Sequence, residues 1–215
     1  MPIGDHSVER VIAYIDGFNL YFGLKSKGWR RYYWLNQQVL VQNLLKPQKQ
    51  LSLTKYFTAR ISGPADKQKR QTIYVEALNT LSDFRIYYGK YQNIPRQCDR
   101  CGFEDEVPNE KMTDVNIAVE LLSDAFQDRY DTAFLISADS DLVPPINRIR
   151  LLFPKKNVIV VFPPDRFSKE LDKYASASFT IGRAKIAKSL FPLEVRKDDG
   201  YILKCPERWK PLEKL

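Results

Sequence analysis

Histidine and cysteine are scarce in this sequence of 215 residues, which contains one histidine, His6, and three cysteines. A single histidine near the N-terminus makes a Ser-His-Asp triad or a histidine-rich zinc hydrolase centre hard to build. Three cysteines are too few, and an odd number, for a disulfide framework, so we expect a reducing, cytoplasmic environment. The chemistry must therefore use carboxylates, cysteines or lysines.

Long apolar runs are also missing. No stretch approaches the run of about 18 apolar residues that crosses a bilayer, and the N-terminus lacks the layout of a secretory signal. We therefore expect neither a membrane protein nor an exported one. A chain of this length predicts one ordinary soluble domain that buries roughly 70% of its unfolded surface.

Charge is distributed unevenly along the chain, whose formal net charge is +8 at pH 7. Residues 25–70 contain eleven basic residues and one acid, whereas residues 91–141 contain four basic and twelve acidic residues. The basic segment indicates a polyanionic partner, and the acidic segment indicates cation binding. An uneven solvated surface without a function is the alternative.

The remaining pattern alternates short apolar runs with segments of helical period. We expect strands at residues 10–16, 51–61, 84–90, 132–137, 157–162 and 178–181. Besides a tight turn after the first strand, we expect helices at residues 33–45, 65–81, 111–129, 142–152, 168–174 and 183–189. Nearly all-apolar strands separated by helices predict a doubly wound α/β fold with a mostly parallel sheet covered on both faces.

The domain is expected to span residues 1–190, with an insertion around residues 91–110. Residues 191–215 mix prolines with charges and show no clear period. We expect this C-terminal tail to pack against the domain or to bind a partner.

Four aspartates fall at the predicted carboxyl edge of the sheet, where doubly wound folds bind ligands. Asp16 ends the first strand, Asp139 and Asp141 follow the 132–137 strand, and Asp114 lies in the first turn of the 111–129 helix. At about 5 Å and an effective dielectric near 20, each pair of like charges in one cavity costs roughly 3 kcal/mol. A divalent cation removes that repulsion, and carboxylates alone favour Mg²⁺ or Mn²⁺.

Local roles are the alternative for each of these acids. Asp16 precedes Gly17 and could stabilise a turn. Asp114 could interact favourably with the dipole of its helix, and Asp139 with Asp141 could cap the next helix. Four acids at one predicted edge favour the metal interpretation when they are considered together.

Further polar residues accompany the acids. Asn19 could bind a phosphate or a metal-bound water, or only stabilise a turn. Lys111 could position a phosphate near Asp114, or be an ordinary exposed lysine. Ser137 and Ser140 could orient the acids or act as local caps.

Aromatic and basic side chains alternate in the segment at residues 29–34, WRRYYW. We expect its first four residues to contact single-stranded RNA, since bases stack on exposed rings while guanidinium groups hold phosphates. The last two residues are expected to be core residues at the start of the next helix. The proposed contacts are Trp29, Arg30, Arg31 and Tyr32.

Cys98 and Cys101 have the spacing of half a zinc site. A structural zinc site needs four ligands, and elsewhere the chain supplies only Cys205 and His6. Three interpretations remain open: a zinc ion completed by a distant residue or a second chain, a redox pair, or two ordinary thiols in an insertion.

Three separate motifs, in order, resemble those of the NYN domain family, in the LabA-like branch of the PIN-like nucleases. They are IDGFNLYF at residues 15–22, EKMTDVNIAVELL at 110–122, and YDTAFLISADSDLVPPI at 130–146 with the strand NVIVVFPP after it. The resemblance covers roughly residues 8–190. The sequence departs from the family pattern at Ala138, where many relatives have glycine. Alanine adds only a methyl group, which is a small change to the expected pocket.

This resemblance implies a PIN-like three-layer α/β/α sandwich, an acidic pocket for Mg²⁺ or Mn²⁺, and hydrolysis of RNA. The residues that match the family's site are Asp16, Asn19, Asp114, Asp139 and Asp141. The implied activity is that of a metal-dependent ribonuclease, most simply an endoribonuclease, which needs no histidine base.

Two rival functions belong to other classes. One is a catalytically weak RNA-binding or regulatory LabA-like protein, and the other is a small-molecule phosphatase with an Asp nucleophile. DNA stays open as a substrate, as does the oligomeric state, including a homodimer.

Overall fold

The structure, a computed structural model, describes residues 8–97 and 100–210. Its strands are β1 Glu9–Asp16, β2 Lys49–Thr58, β3 Phe84–Tyr88, β4 Lys90–Gln97, β5 Glu104–Lys111, β6 Thr132–Ile136, β7 Asn157–Phe162, β8 Ala177–Thr180, β9 Glu194–Arg196 and β10 Ile202–Lys204. Its α-helices are α1 Gly17–Ser26, α2 Gln37–Leu44, α3 Ala65–Leu78, α4 Thr113–Phe126, α5 Val143–Leu152, α6 Lys169–Tyr174 and α7 Arg183–Ala187. Three short 3₁₀ turns span Arg30–Tyr32, Ser140–Leu142 and Glu207–Trp209.

Six strands form one parallel sheet in the order β3-β2-β1-β6-β7-β8. The chain is wound outward from β1 to β3 on one side and from β6 to β8 on the other, so the winding reverses between β1 and β6. This arrangement confirms the predicted α/β class and is consistent with a PIN-like NYN fold. It also places the ligand-binding crevice of such folds at the carboxyl ends of β1 and β6.

Two hydrophobic cores cover the two faces of the sheet. Val11, Ala13 and Ile15 pack with residues of α1, α2, α3 and α7, whereas Ile12 and Tyr14 pack with residues of α4, α5 and α6. Successive residues of a strand point to opposite faces, so a fully apolar strand such as β1 contributes to both cores. The result is a three-layer α/β/α arrangement.

The chain enters α1 directly after β1, where the sequence predicted only a tight turn. Gly17 and Gly23 lie in this helix, and glycine lowers helix propensity by about 1 kcal/mol relative to alanine, which hid it. Gly17 is required by close packing: a Cβ atom there would lie 2.5 Å from Tyr56 Oη and 2.7 Å from the Phe57 carbonyl oxygen. Glycine therefore lets α1 begin against β2.

Helix α2 begins later than predicted, at Gln37. Asn36 caps it, since its side chain accepts a hydrogen bond of 3.0 Å from the Val39 amide. Trp34 is buried as predicted and donates a hydrogen bond of 2.7 Å to the Pro192 carbonyl oxygen. The aromatic residues before Asn36 therefore lie outside α2 and contact the C-terminal segment.

Two antiparallel hairpins complete the described chain. β4 and β5 pair from Lys90 opposite Lys111 to Gln97 opposite Glu104, within the predicted insertion. β9 and β10 pair near the C-terminus, and Leu203 joins the core shared by α1, α2 and α3. Neither hairpin was predicted. Within residues 8–97 and 100–210, no helix has the length and apolarity to cross a bilayer.

A fully buried lysine lies between β2 and α4. Lys55 Nζ donates hydrogen bonds to Asp124 Oδ2 at 2.5 Å and to Glu120 Oε2 at 2.6 Å. Tyr14 Oη donates to the same Asp124 oxygen at 2.5 Å. Asp124 is itself buried, so this ion pair is part of the core.

Candidate active site

Asp16 is the last residue of β1 and the N-cap of α1. Its Oδ1 accepts a hydrogen bond of 2.9 Å from the Asn19 amide, and its Oδ2 accepts one of 2.9 Å from Ser137 Oγ. The residue is 4% exposed. A carboxylate has about four acceptor positions, so these two bonds leave capacity for a cation.

The loop after β6 is tied to the end of β1 by a chain of hydrogen bonds. Ser137 Oγ accepts from the Asp139 amide at 3.1 Å, and Asp139 Oδ1 accepts from the Asp141 amide at 3.0 Å. Asn19 Oδ1 accepts from the Ala138 amide at 3.3 Å. These bonds fix two acid-bearing segments at the point where the winding reverses.

The Asp16 carboxyl has a raised pKa. Burial is the main cause, and the charge of Asp139 raises the pKa further, whereas hydrogen bonds from Asn19 and Ser137 oppose the shift. Ionised Asp16 is therefore held in an unfavourable environment. A cation beside it would stabilise the ionised form.

Asp114 lies in the first turn of α4 and is half-buried. The N-terminus of α4 is at the carboxyl edge of the sheet, because the helix leads back to the start of β6. Two residues later, Asn116 Nδ2 donates a hydrogen bond of 3.4 Å to the Tyr88 carbonyl oxygen at the end of β3. Asp114 therefore shares this edge of the sheet with Asp16.

Two of the four predicted acids, Asp16 and Asp139, are joined through Ser137 by hydrogen bonds, and a common site for all four stays a prediction. Across the two described ranges, no three His, Cys, Asp or Glu side chains come together as a set that could hold a metal ion. Asp16 and Asp139 are the pair that shares Ser137. Mg²⁺ is commonly held by one or two carboxylates together with waters and substrate phosphates, which such a pair can provide.

Among the described residues, the cysteines do not come together as a metal site. Cys101 is exposed, and Cys98 and His6 lie outside the described residues. Cys205 is a core residue whose thiol pKa is raised to about 11 by burial. A zinc ion at Cys98 and Cys101 stays a prediction.

The predicted RNA contacts divide into two kinds. Arg30 and Arg31 are exposed, and Trp29 is half-buried. Tyr32, by contrast, is a core residue whose hydroxyl accepts a hydrogen bond of 3.1 Å from Arg183 Nε, so its ring offers no stacking surface.

Burial acts to raise the pKa of Tyr32, but the hydrogen bond from Arg183 and the charge of Arg31 outweigh it and lower the pKa. Sequence reasoning missed Arg183, which lies far away along the chain. Lys111 is exposed at the end of β5, directly before α4.

A large cleft adjoins the acids on the side of α1. It encloses about 1070 Å³ between α1, the 29–33 segment, α3 and the C-terminal residues 207–210. We call it the aromatic-basic cleft, after lining residues that include Phe18, Tyr21, Phe22, Trp29, Tyr33, Tyr56, Tyr74 and Trp209, together with Lys25, Arg30, Arg31, Lys67, Arg70, Arg208 and Lys210. The contribution of the C-terminal residues was not foreseen, because no local pattern marks them.

Comparison with known proteins gives a matching family, a curated relative and a solved structure of similar fold. The NYN domain matches residues 10–182 of this chain. A 6-hydroxy-3-succinoylpyridine 3-monooxygenase of Pseudomonas putida is 27% identical over 183 residues, which cover 68% of this chain and 57% of that protein. The chain thus spans little more than half the length of that curated relative.

The solved structure of similar fold is a crystal structure of a Vibrio parahaemolyticus protein described as of unknown function. It matches with a TM-score of 0.53 and 18% sequence identity, over 87% of this chain and 99% of that one. At this identity the likeness is one of fold alone.

Proposed function

The chain belongs to the NYN domain family, and from that premise we propose that it is a metal-dependent nuclease, of the LabA-like branch, that hydrolyses phosphodiester bonds of single-stranded RNA. NYN domains are generally nucleases. The observation that most supports the proposal is the joining of two acid-bearing strand ends through Ser137 Oγ, which bonds Asp16 Oδ2 at 2.9 Å and the Asp139 amide at 3.1 Å.

The donors at this edge fit a hard divalent cation. Every candidate ligand is an oxygen, and the raised pKa of buried Asp16 marks a carboxylate that a positive charge would stabilise. Asp16 and Asp139 would hold Mg²⁺ or Mn²⁺, with Asp141 and Asp114 as further carboxylates on either side. When bound, the cation supplies a nucleophilic water at neutral pH and neutralises charge on the phosphate.

The other residues of the site bind and position. Asn19 holds the loop after β6 by accepting from the Ala138 amide, and so sets the place of Asp139. Arg30, Arg31 and Lys111 are exposed cations that would hold phosphates on either side of the acids. No histidine takes part, in keeping with the composition of the chain.

A nuclease panel tests this function. We expect cleavage of single-stranded RNA in Mn²⁺ or Mg²⁺ and no cleavage in chelator, with double-stranded RNA and single- and double-stranded DNA as comparisons. Asp139→Asn should lower the rate roughly 100-fold. The matched control is Asp199→Asn, which changes an exposed carboxylate in the β9–β10 turn and should cut at the wild-type rate. Cleavage that continues in chelator contradicts the proposal.

Metal binding should also be visible without catalysis. We expect Mn²⁺ to raise the melting temperature of the wild-type protein, because a ligand that binds only the folded state stabilises it. Asp16→Asn should abolish most of this increase, whereas Asp199→Asn should keep it. Scanning calorimetry in Mn²⁺ and in chelator measures the difference, and equal increases in all three proteins would show that the ion binds elsewhere.

A second candidate function is RNA binding or regulation without efficient cleavage. The observation that favours it is the aromatic-basic cleft, whose rings and cations can bind RNA without cleaving it. Tight RNA binding with no metal-dependent turnover in the nuclease panel would select this function.

A further inference from the structure

The C-terminal 3₁₀ turn Glu207–Trp209 forms one wall of the aromatic-basic cleft. The NYN domain match ends at residue 182, so this wall lies outside the matched region. The Trp209 ring packs edge-on against Tyr33, with centroids 5.8 Å apart, and against Tyr74 at 6.1 Å. Residues outside the matched domain therefore contribute a wall to the cleft beside the acids.

We propose that this wall completes a binding site for single-stranded nucleic acid. The inference rests on the proposed nuclease function and specifies how its substrate is held. The exposed and half-buried rings of the cleft would stack with unpaired bases, and its cations would hold the backbone phosphates.

The charge of the cleft matches a polyanion. Glu207 is the one carboxylate among the described lining residues, and it pairs with Lys210 at 2.5 Å. Outside the cleft lining, Asp66 pairs with Arg70 at 2.7 Å and with Arg208 at 3.6 Å. Within the described part of the chain, four lining cations have no carboxylate within ion-pair distance: Lys25, Arg30, Arg31 and Lys67.

The rings of the cleft form a connected row. Tyr21 packs on Tyr33 with centroids 5.0 Å apart, and Tyr33 packs in turn on Trp209. A base in a duplex is already stacked on both faces, so only an unpaired base can use these rings. The volume of about 1070 Å³ lies at the upper end of the range of about 300–1,000 Å³ typical of ligand pockets.

The position of the cleft connects binding to the acids. Gly17 and Phe18 line it, and they directly follow Asp16 in the chain. A strand lying along the cleft would therefore reach the carboxyl ends of β1 and β6. This proximity distinguishes the cleft from a basic surface elsewhere on the protein.

Binding is tested in the absence of cleavage, with the full-length Asp16→Asn protein in chelator. The probe is a fluorescein-labelled RNA of about 12 nucleotides, single-stranded or folded into a hairpin duplex, and anisotropy gives the affinity. We expect the single strand to bind roughly 10-fold more tightly than the duplex. Equal affinities for the two probes would overturn the proposal.

Variants in this background locate the site. Trp209→Ala should weaken single-strand binding roughly 10-fold, and the double substitution Arg30→Gln with Arg31→Gln should weaken it by a similar factor. Two matched controls change exposed residues of the C-terminal hairpin that do not line the cleft, Tyr201→Ala and Lys204→Gln. Both should bind as the parent does, and equal losses in controls and cleft variants contradict a specific site.

Because Trp209 also packs on core rings, a crosslinking experiment covers the case in which Trp209→Ala does not fold. Ultraviolet crosslinking of the parent to the single-stranded probe should modify peptides that contain Tyr33 or Trp209, as identified by mass spectrometry. Crosslinks confined to other surfaces would overturn the proposal.

The outcomes separate this inference from the nuclease proposal. Binding that depends on Trp209, without metal-dependent cleavage of RNA, supports the cleft and contradicts the nuclease. Cleavage with unchanged binding by the cleft variants supports the nuclease and contradicts the cleft. Displacement of the RNA probe by a small aromatic acid alone, with no preference for single strands, would make the cleft a small-molecule site instead.

Discussion

Asp16→Asn is expected to lower metal-dependent RNA cleavage roughly 100-fold or more while the free energy of unfolding at pH 7 stays unchanged or rises. Activity falls because the substitution removes the negative charge that holds the cation. The fold persists because Asn caps helices about as well as Asp, and its side-chain oxygen can accept from the Asn19 amide as Asp16 Oδ1 does at 2.9 Å.

The stability of this variant relative to wild type should depend on pH. In the folded protein, burial raises the pKa of Asp16 above its ordinary value of 3.8, so folding favours the protonated acid. That favourable contribution is present below pH 3.8 and is lost as the pH rises through the raised pKa. The amide of the Asp16→Asn variant does not titrate. The free energy of unfolding of the variant therefore rises relative to that of the wild type as the pH rises.

Urea unfolding between pH 3 and pH 8, with cleavage assays of the same samples, measures both effects. Asp16→Ala is the control for capping: it should be inactive as well, but less stable by about 0.5–2 kcal/mol, because alanine cannot accept the Asn19 bond. Full cleavage by Asp16→Asn would exclude Asp16 from catalysis. A large loss of stability in Asp16→Asn would mean that the charge of Asp16 stabilises the fold.

Lys55→Met is expected to lower the free energy of unfolding by about 3–5 kcal/mol. Lys55 and Asp124 are both buried, and removing the lysine leaves a carboxylate in the core without its main counter-charge. Tyr14 Oη and Arg129 also contact Asp124, yet the Arg129 contact is longer, at 3.4 Å. Urea unfolding monitored by circular dichroism measures the change.

Two companion variants sharpen this test. Lys55→Met combined with Asp124→Asn removes both charges, keeps an acceptor for Tyr14, and should recover most of the lost stability. Lys156→Met removes one of the two partners of Asp128, an exposed carboxylate that Arg10 also contacts, together with a hydrogen bond to the Tyr130 carbonyl oxygen, and should lower stability by only about 1 kcal/mol. If Lys55→Met and Lys156→Met have equal effects, the buried pair has no special role.

The sheet was predictable because its strands are local apolar runs with turn signals at their ends. β1, β6 and β7 lie within one residue of the predicted bounds. Helix α1 was hidden by its glycines, because Gly17 packs closely on β2 and Gly23 on the prolines after β7, and no local pattern contains these contacts. The late start of α2 has the same origin, since the residues before Asn36 pack on the C-terminal segment.

The candidate site was predictable to the extent that topology decides it. Acids at the ends of strands on either side of a winding reversal meet at one edge, as Asp16 and Asp139 do. The burial of Tyr32 accompanies a hydrogen bond from Arg183, 151 positions further along the chain, so it could not be derived from spacing. The inward placement of Lys55 opposes the usual location of lysine at the surface.

The bond between Ser137 Oγ and Asp16 Oδ2 joins residues that lie 121 positions apart. During synthesis on the ribosome, Asp16 emerges long before Ser137, so a growing chain cannot yet align its acid-bearing loops. If the proposed nuclease function holds, the activity begins only after the two central strands have paired. A nascent chain would thus be harmless to the ribosomal and messenger RNA that surround it.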